Sequence, residues 1–315
     1  MSAVDVVTVG EALVSFRSSG PLTSGEPLVP GVAGAESNVA IALARLGHEV
    51  EWVGRVGADP FGRLILRDLR AEGVRTDHVA VDSTAPSGLM FLEQRTADLV
   101  RVEYRRAGSS GSGLLPGDVL PALQGSSRVL HVSGVTSALS DSAHAAVVAA
   151  VEAASAAGVL VSLDVNYRSR LWGRDDARSA LARVVPHCDL VIASDDELDL
   201  VAPGDEESAT AGLLAGRARA VAVKRGARGA SLYSANGRLD RPAAQVTSID
   251  TVGAGDAFCA GLLSAWLDGL AEPDWLDRAI LLGAFAVSTR GDWQGLPHRG
   301  ELGLIRDLST GDALR

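Results

Sequence analysis

The segment Asp250-Thr251-Val252-Gly253-Ala254-Gly255-Asp256-Ala257-Phe258 holds residue types and spacing that could do chemistry. Two glycines flank one alanine and lead directly into an apolar helical run. Glycine tolerates φ > 0 and lets the backbone approach a ligand closely. Successive N–H groups at a helix start form an anion site, which the helix dipole reinforces. A carboxylate in that site would repel a phosphate that was merely bound. It gains a role if Asp256 takes a proton from a hydroxyl while the N–H groups of Gly253, Ala254 and Gly255 hold charge developing on a transferred phosphoryl group. Read alone, the Gly-Ala-Gly fragment suits a tight loop with Asp256 as a helix cap at least as well.

The elements around this segment alternate. Strands are expected at residues 4–9, 50–53, 129–132, 159–164, 190–193 and 220–223. Helices are expected near 37–46, where Gly47 supplies the stop, and at 60–72, 175–185, 255–267 and 274–289; a long Ala-rich helix capped by Ser140 ends near Gly158, and a short one surrounds Glu197. Strand–helix alternation of this kind implies a parallel sheet, with ligands at the carboxyl ends of its strands. Two β-like regions have no helix beside them: the pair 87–94 and 99–105, and the part around 14–16 that runs into the Gly/Pro-rich stretch 20–34. They form a small sheet set apart. Residues 230–239 read as another hairpin.

Composition narrows the function classes. The chain has 315 residues, 47% of them hydrophobic and 22% charged, so it can bury a sizeable core. A net charge of -10 with no basic stripe argues against nucleic acid and against an anionic membrane surface. No run reaches membrane-spanning length, and the first ten residues do not read as a signal peptide. The two cysteines, Cys188 and Cys259, have no metal-ligand spacing and read as small buried hydrophobes of a cytoplasmic protein.

The Asp250–Phe258 string resembles the second signature of the ribokinase-like (PfkB) carbohydrate kinases, and a first signature accompanies it. Gly34-Ala35-Glu36-Ser37-Asn38-Val39-Ala40, then Leu46-Gly47, then Gly54-Arg55-Val56-Gly57 are similar to the family's loop, helix and following strand. The resemblance covers nearly the whole chain. It implies one α/β domain over 1–315, with a central, mostly parallel sheet flanked by helices on both faces. A β-sheet lid would be built from about 12–33 and 86–107. It also implies Asp256 as catalytic base, with Gly253, Ala254 and Gly255 as anion hole and Gly34 and Asn38 beside the sugar. ATP and Mg²⁺ follow from it, a monovalent cation stays open, and a homo-oligomer is expected because lid sheets in this family often pair.

Three further stretches resemble the family's nucleotide side. Lys224-Arg225-Gly226 follows a strand as the ATP loop does, and Asp164-Val165-Asn166 ends another strand beside the phosphates. Ser194-Asp195-Asp196-Glu197 stands where the family usually has Asn-x-x-Glu, so Glu197 is matched to magnesium handling while Ser194 replaces the usual Asn.

Within the family, several strings look like the 2-keto-3-deoxygluconate kinases: Tyr104-Arg105-Arg106-Ala107-Gly108-Ser109, Ser133-Gly134-Val135-Thr136, Asp164-Val165-Asn166-Tyr167-Arg168 and Arg290-Gly291-Asp292. Ser15, where many members carry Asp, and Glu36 speak against ribose or fructose. A carboxylate substrate on an acidic protein needs local cations, and a guanidinium holds a carboxylate through two parallel hydrogen bonds. Arg106 and Arg168 are the candidates, with Tyr104, Met90, Val135 and Asp292 as further substrate-side residues. Met90 departs from the tyrosine that related kinases can carry. The rival readings are a fructokinase, ribokinase or nucleoside kinase of the same family, a non-catalytic sugar or nucleotide sensor, and, more remotely, a dinucleotide dehydrogenase, whose glycine fingerprint Gly10-Glu11-Ala12 does not supply.

Overall fold

Runs of valine, leucine and isoleucine make strands buried on both faces, as a sheet covered by helices on both sides requires. The computed structural model describes residues 4–96 and 99–304. The chain begins with β1 (Val4–Val9), β2 (Leu13–Ser18), β3 (Val29–Ala33), α1 (Ala35–Arg45) and β4 (Val50–Val53). Next come β5 (Arg55–Gly57), α2 (Pro60–Ala71), β6 (Ala80–Asp82), β7 (Gly88–Thr96) and β8 (Leu99–Arg105). The one-turn helix α3 (Pro116–Val119) precedes β9 (Ser127–Ser133), α4 (Gly134–Ser137), α5 (Asp141–Ala156) and β10 (Leu160–Asp164). α6 (Arg174–Leu181), β11 (Leu190–Ser194), α7 (Glu206–Ala215) and β12 (Ala220–Lys224) continue the alternation. A hairpin of β13 (Ala230–Ser234) and β14 (Gly237–Arg241) leads to α8 (Ala254–Leu267) and α9 (Glu272–Val287).

Among the described residues, the main sheet runs β14-β13-β12-β11-β10-β9-β1-β4. From β12 to β4 all neighbours are parallel; β13 and β14 add an antiparallel edge. Alternate side chains feed two cores. Ile192 joins the cluster under α1, α8 and α9 with Ile41, Leu262 and Leu282, while its neighbour Val191 joins the cluster under α5 and α6 with Val147 and Leu181. Because the strands are parallel, Ser133, Asp164, Ser194 and Lys224 all end at one edge of the sheet, where ligands of such folds bind.

The small separate sheet has the order β3-β2-β7-β8, with β2 and β7 parallel. Its apolar cluster of Leu13, Ala33, Met90 and Leu92 packs against Val102 and against Val252 of the glycine loop. The helices at 37–46, 60–72, 255–267 and 274–289 and the strands of the main sheet lie within a few residues of their expected bounds. Several features differ. β3 lies inside the Gly/Pro-rich stretch, and its Pro30 is tolerated because β3 is an edge strand. β5 and β6 form a short parallel pair, and α7 starts at the side chain of Asp205, which accepts the N–H of Ser208. The helix expected over 175–185 stops at Leu181, and a 3₁₀ turn with Pro186 follows. No helix among the described residues is long and apolar enough to cross a membrane. The single-domain reading over 1–315, and its segment 86–107, include residues 1–3, 97–98 and 305–315, which lie outside the described residues.

Candidate active site

α8 begins at Ala254, so Asp256 lies in its first turn, behind the glycine loop. Gly253 has φ 78°, and a Cβ there would meet the main-chain oxygen of Asp292 at 2.1 Å. The loop therefore needs glycine for both conformation and space. Asp256 is buried. Its Oδ2 accepts from Asn38 Nδ2 at 2.8 Å, and its Oδ1 from Asn166 Nδ2 at 3.5 Å. Burial pushes its carboxyl up to about 7; the Asn38 hydrogen bond opposes this, nearby Asp164 adds to it, and Arg168 and Lys224 oppose it. A carboxylate with that proton affinity suits general-base work near neutral pH.

Asn38 is held by the start of α1. Gly34 caps that helix with φ 149°, and a Cβ there would lie 2.3 Å from the main-chain oxygen of Glu11. The Asn38 N–H donates to the Gly34 carbonyl at 2.8 Å. Its neighbour Glu36 is fully buried and accepts hydroxyls of Ser133 and Thr136 at 2.6 and 2.7 Å, which ties α1 to the end of β9; burial raises its proton affinity. Asn166 sits just past β10 at φ 41°, a region that Asn enters more readily than most residues.

Lys224 ends β12 and donates to Asp164 Oδ1 at 2.6 Å, while Cys259 Sγ lies 3.3 Å from Asp164 Oδ2. Burial works against the Lys224 charge, but Asp164 with Cys259 and Glu197 outweighs it and holds the ammonium protonated. Its Nζ lies 3.6 Å from the point where a Cβ on Gly255 would be, so a cation borders the anion loop. Glu197 accepts the N–H groups of Tyr167 and Ser194, each at 2.7 Å, and so joins the loops after β10 and β11.

Two cavities meet at this edge. The smaller, about 500 Å³, is lined by Asn166, Ser194, Glu197, Lys224, Gly226, Thr251 and Gly255 at one end. Ala243, Ala244, Val246, Ile280, Ala284 and Val287 supply an apolar remainder. A cation and the N–H groups at the start of α8 beside an apolar slot fit a nucleotide, with phosphates toward Gly255 and the base among the alanines and valines. The larger, about 770 Å³, opens between β8 and the loop 167–171 and is lined by Arg101, Arg106, Arg168 and Arg170 with Tyr104 and Tyr167. Arg168 borders both.

The expected substrate-side residues divide. Tyr104, Arg106 and Arg168 line the larger cavity, and the Arg106 guanidinium lies over the Tyr104 ring at 5.0 Å. Arg106 is also paired through Nε (2.7 Å) and Nη2 with the buried carboxylate of Glu11, whose other oxygen accepts from Ser109 at 2.8 Å. Met90 is buried in the small sheet's apolar cluster, and Val135 is buried in α4 beside Ser133, whose Oγ accepts its N–H. Asp292 is buried, and its Oδ2 accepts from Arg17 Nη2 at 2.8 Å; burial raises its proton affinity while Arg17 lowers it. Glu11, Arg17 and Arg170, which donates to the Val102 carbonyl at 2.6 Å, were not singled out in the sequence. Long-range ion pairs leave no local pattern there. Among the described residues no group of three or more His, Cys, Asp or Glu side chains could hold a metal. Mg²⁺ carried mainly by nucleotide phosphates and water needs no such group, and Glu197 and Asn166 stand at the phosphate end.

The chain is 34% identical to the 2-dehydro-3-deoxygluconokinase of Thermoproteus tenax over 301 residues, covering 93% of this chain and 91% of that one. It is 32% identical to the 2-dehydro-3-deoxygalactonokinase of Haloferax volcanii (91% and 90% covered) and 30% identical to Fructokinase-1 of Oryza sativa (94% and 96%). A structure from E. coli, solved in complex with ATP and Mg²⁺, superposes with a TM-score of 0.88 at 28% identity, covering 97% of this chain and 99% of that one. The family model "pfkB family carbohydrate kinase" matches residues 5–299, and the chain belongs to that family.

Proposed function

We propose that this carbohydrate kinase transfers the γ-phosphoryl group of ATP to the terminal hydroxyl of 2-keto-3-deoxygluconate, yielding 2-keto-3-deoxy-6-phosphogluconate and ADP. The observation that carries the reading is the position of Asp256. It is a buried carboxyl with proton affinity near 7 in the first turn of α8, directly after Gly255, which lines the cavity suited to a nucleotide, and within the influence of Arg168, which lines both cavities. The substrate hydroxyl loses its proton to Asp256 as its oxygen forms the new P–O bond, and the bond from the γ-phosphorus to the bridging oxygen breaks to release ADP. The N–H groups of Gly253, Ala254 and Gly255, with Lys224, stabilise charge on the group in transit. Mg²⁺, when bound, neutralises phosphate charge. The small sheet acts as a lid that excludes water, so that the hydroxyl rather than water is phosphorylated. A sugar acid is favoured because Arg168 and Arg170 bring positive charge to the larger cavity of a chain whose net charge is -10. A cytoplasmic setting accords with ATP as co-substrate and with two free, buried cysteines.

One observation favours a neutral ketose as a second reading: the Glu11 carboxylate already holds Arg106. Fructose, like the keto-deoxy acid, presents a primary alcohol to Asp256. Coupled ADP production with Mg-ATP, comparing 2-keto-3-deoxygluconate, its galactose-configured epimer, fructose, ribose and gluconate at equal concentration, separates the two. Preference for a neutral sugar would overturn the acid assignment. Sedimentation at micromolar concentration tests the expected homo-oligomer, and a monomer would remove it.

A further inference from the structure

Arg17 belongs to β2 of the small sheet, yet its guanidinium leaves that sheet. Nη1 donates to Asp250 Oδ2 and Nη2 to Asp292 Oδ2, both at 2.8 Å. These acids frame the glycine loop. Asp250 opens it: Oδ1 accepts the N–H of Val252 at 3.1 Å, and Oδ2 also accepts the N–H of Gly291 at 3.3 Å. The main-chain oxygen of Asp292 lies against Gly253, where it leaves no room for a Cβ. One guanidinium thus spans the two segments that set the shape of the anion loop. A second, apolar link runs the same way, because the small sheet's cluster around Met90 and Leu13 packs on Val252 of that loop.

We propose that Arg17 is a positioning residue that makes the geometry of the anion loop depend on the small sheet. With β2 seated, Arg17 cross-links Asp250 and Asp292, and the Gly253–Gly255 N–H groups are held in register with Asp256. With β2 displaced, two neighbouring carboxylates face each other without their cation, and the loop loses the restraint. Phosphoryl transfer is thereby tied to coverage of the sugar site, which limits transfer to water. Arg17 lines neither cavity; it acts through the loop. The proposal rests on the phosphoryl-transfer reading but not on the identity of the sugar.

The test is steady-state kinetics of the full chain and of its Arg17→Ala, Arg17→Lys and Asp292→Asn variants, with the best acceptor found and with Mg-ATP alone. For Arg17→Ala a fall in kcat on the order of 10- to 100-fold is expected, the scale of a small misplacement of catalytic groups. The acceptor KM should change far less, and the ratio of ATP hydrolysis to sugar phosphorylation should rise. Arg17→Lys should recover part of kcat, since an ammonium restores the charge but not the two-pronged bridge. Asp292→Asn should fall in the same direction, and a double variant with Arg17→Ala should be no worse than the single ones. A merely structural role predicts thermal destabilisation with unchanged kcat per folded molecule and no rescue by Lys. Equal kcat in all variants, or additive losses in the double variant, overturns the proposal. If Arg17→Ala does not fold, Arg17→Lys and Asp292→Asn decide by the same criteria. A wild-type protein that makes no ADP with any sugar would instead defeat the kinase reading.

Discussion

Asn38, in the first turn of α1, donates a 2.8 Å hydrogen bond to Asp256, which stands 218 positions later in the first turn of α8. The two family signatures are joined by that hydrogen bond, and α1 and α8 also share one apolar cluster. The amide favours the ionised carboxyl, and burial favours the neutral one. Burial wins, which puts the carboxyl's proton affinity near neutral pH.

Replacing Asp256 with Asn should lower kcat by roughly 10²–10⁴-fold, the usual contribution of a general base. The fold should survive. Relative to its value of 3.8 in an unfolded chain, the Asp256 carboxyl is raised in the folded protein, so the folded state holds the proton more tightly. That group's contribution therefore weakens stability as pH rises from about 4 to about 7. The Asn variant lacks this loss, and thermal melts at pH 8 should find it at least as stable as wild type. Turnover within a few-fold of wild type would remove Asp256 from the mechanism.

The pH profile offers a second check. Only the ionised carboxylate accepts a proton, so kcat/KM should fall as pH drops through an acid limb near about 7. Asn38→Leu removes a hydrogen bond that favours the ionised form. Its limb should move to higher pH, because the same burial then acts with less opposition. A limb that stays in place in the Leu variant would mean another group controls the profile.

Lys224 and Asp164 form a buried pair next to the anion loop, and the pair can be broken from one side or replaced from both. Lys224→Met leaves Asp164 buried without its cation and should cost roughly 3–5 kcal/mol of stability. Adding Asp164→Leu should restore much of that, since well-packed apolar groups often substitute for buried ion pairs. Activity should not return in the double variant, because the cation beside Gly255 is still missing. Denaturant melts and ATP kinetics on the three proteins separate the two roles. Recovery of ATP turnover in the double variant would reduce Lys224 to a structural charge.

The main sheet was readable because each strand is a short valine-rich run between helices with clear stop signals such as Gly47 and Gly158. The anion loop was readable because conformation, helix start and acid all fall within nine consecutive residues. What escaped has no local signal. β3 contains Pro30 and Gly31, and it is a strand only because β2 offers it an edge. The Arg17 bridge joins residues 233 and 275 positions apart, and the Arg106–Glu11 pair joins residues 95 apart. Charge pairing at such separation depends on the folded arrangement, so the Arg17 partner of Asp292 leaves no local signal. α7 did leave a cue, Asp205 followed by two glutamates, which is an N-terminal pattern.

Two of the four cavity arginines, Arg168 and Arg106, should behave differently, and that difference bears on the sugar. Among the described residues, the Arg168 side chain hydrogen-bonds a neighbouring carbonyl alone, that of Tyr167 at 3.2 Å, and it borders both cavities. Arg106 is tied to Glu11, which is 2% exposed. Arg168→Gln should leave stability near wild type and lower kcat/KM for a sugar acid by roughly 10- to 100-fold, as loss of a hydrogen bond to a charged group implies. A neutral ketose should lose far less, so the acid-to-ketose ratio should collapse. It should also move the acid limb upward, because Arg168 lowers the proton affinity of Asp256. Arg106→Gln strands the Glu11 carboxylate and should destabilise the protein before any effect on specificity is read. Equal losses for acid and ketose in the Arg168 variant would mean that Arg168 serves the transferred phosphoryl group, and the carboxylate-binding role would pass to Arg101 or Arg170.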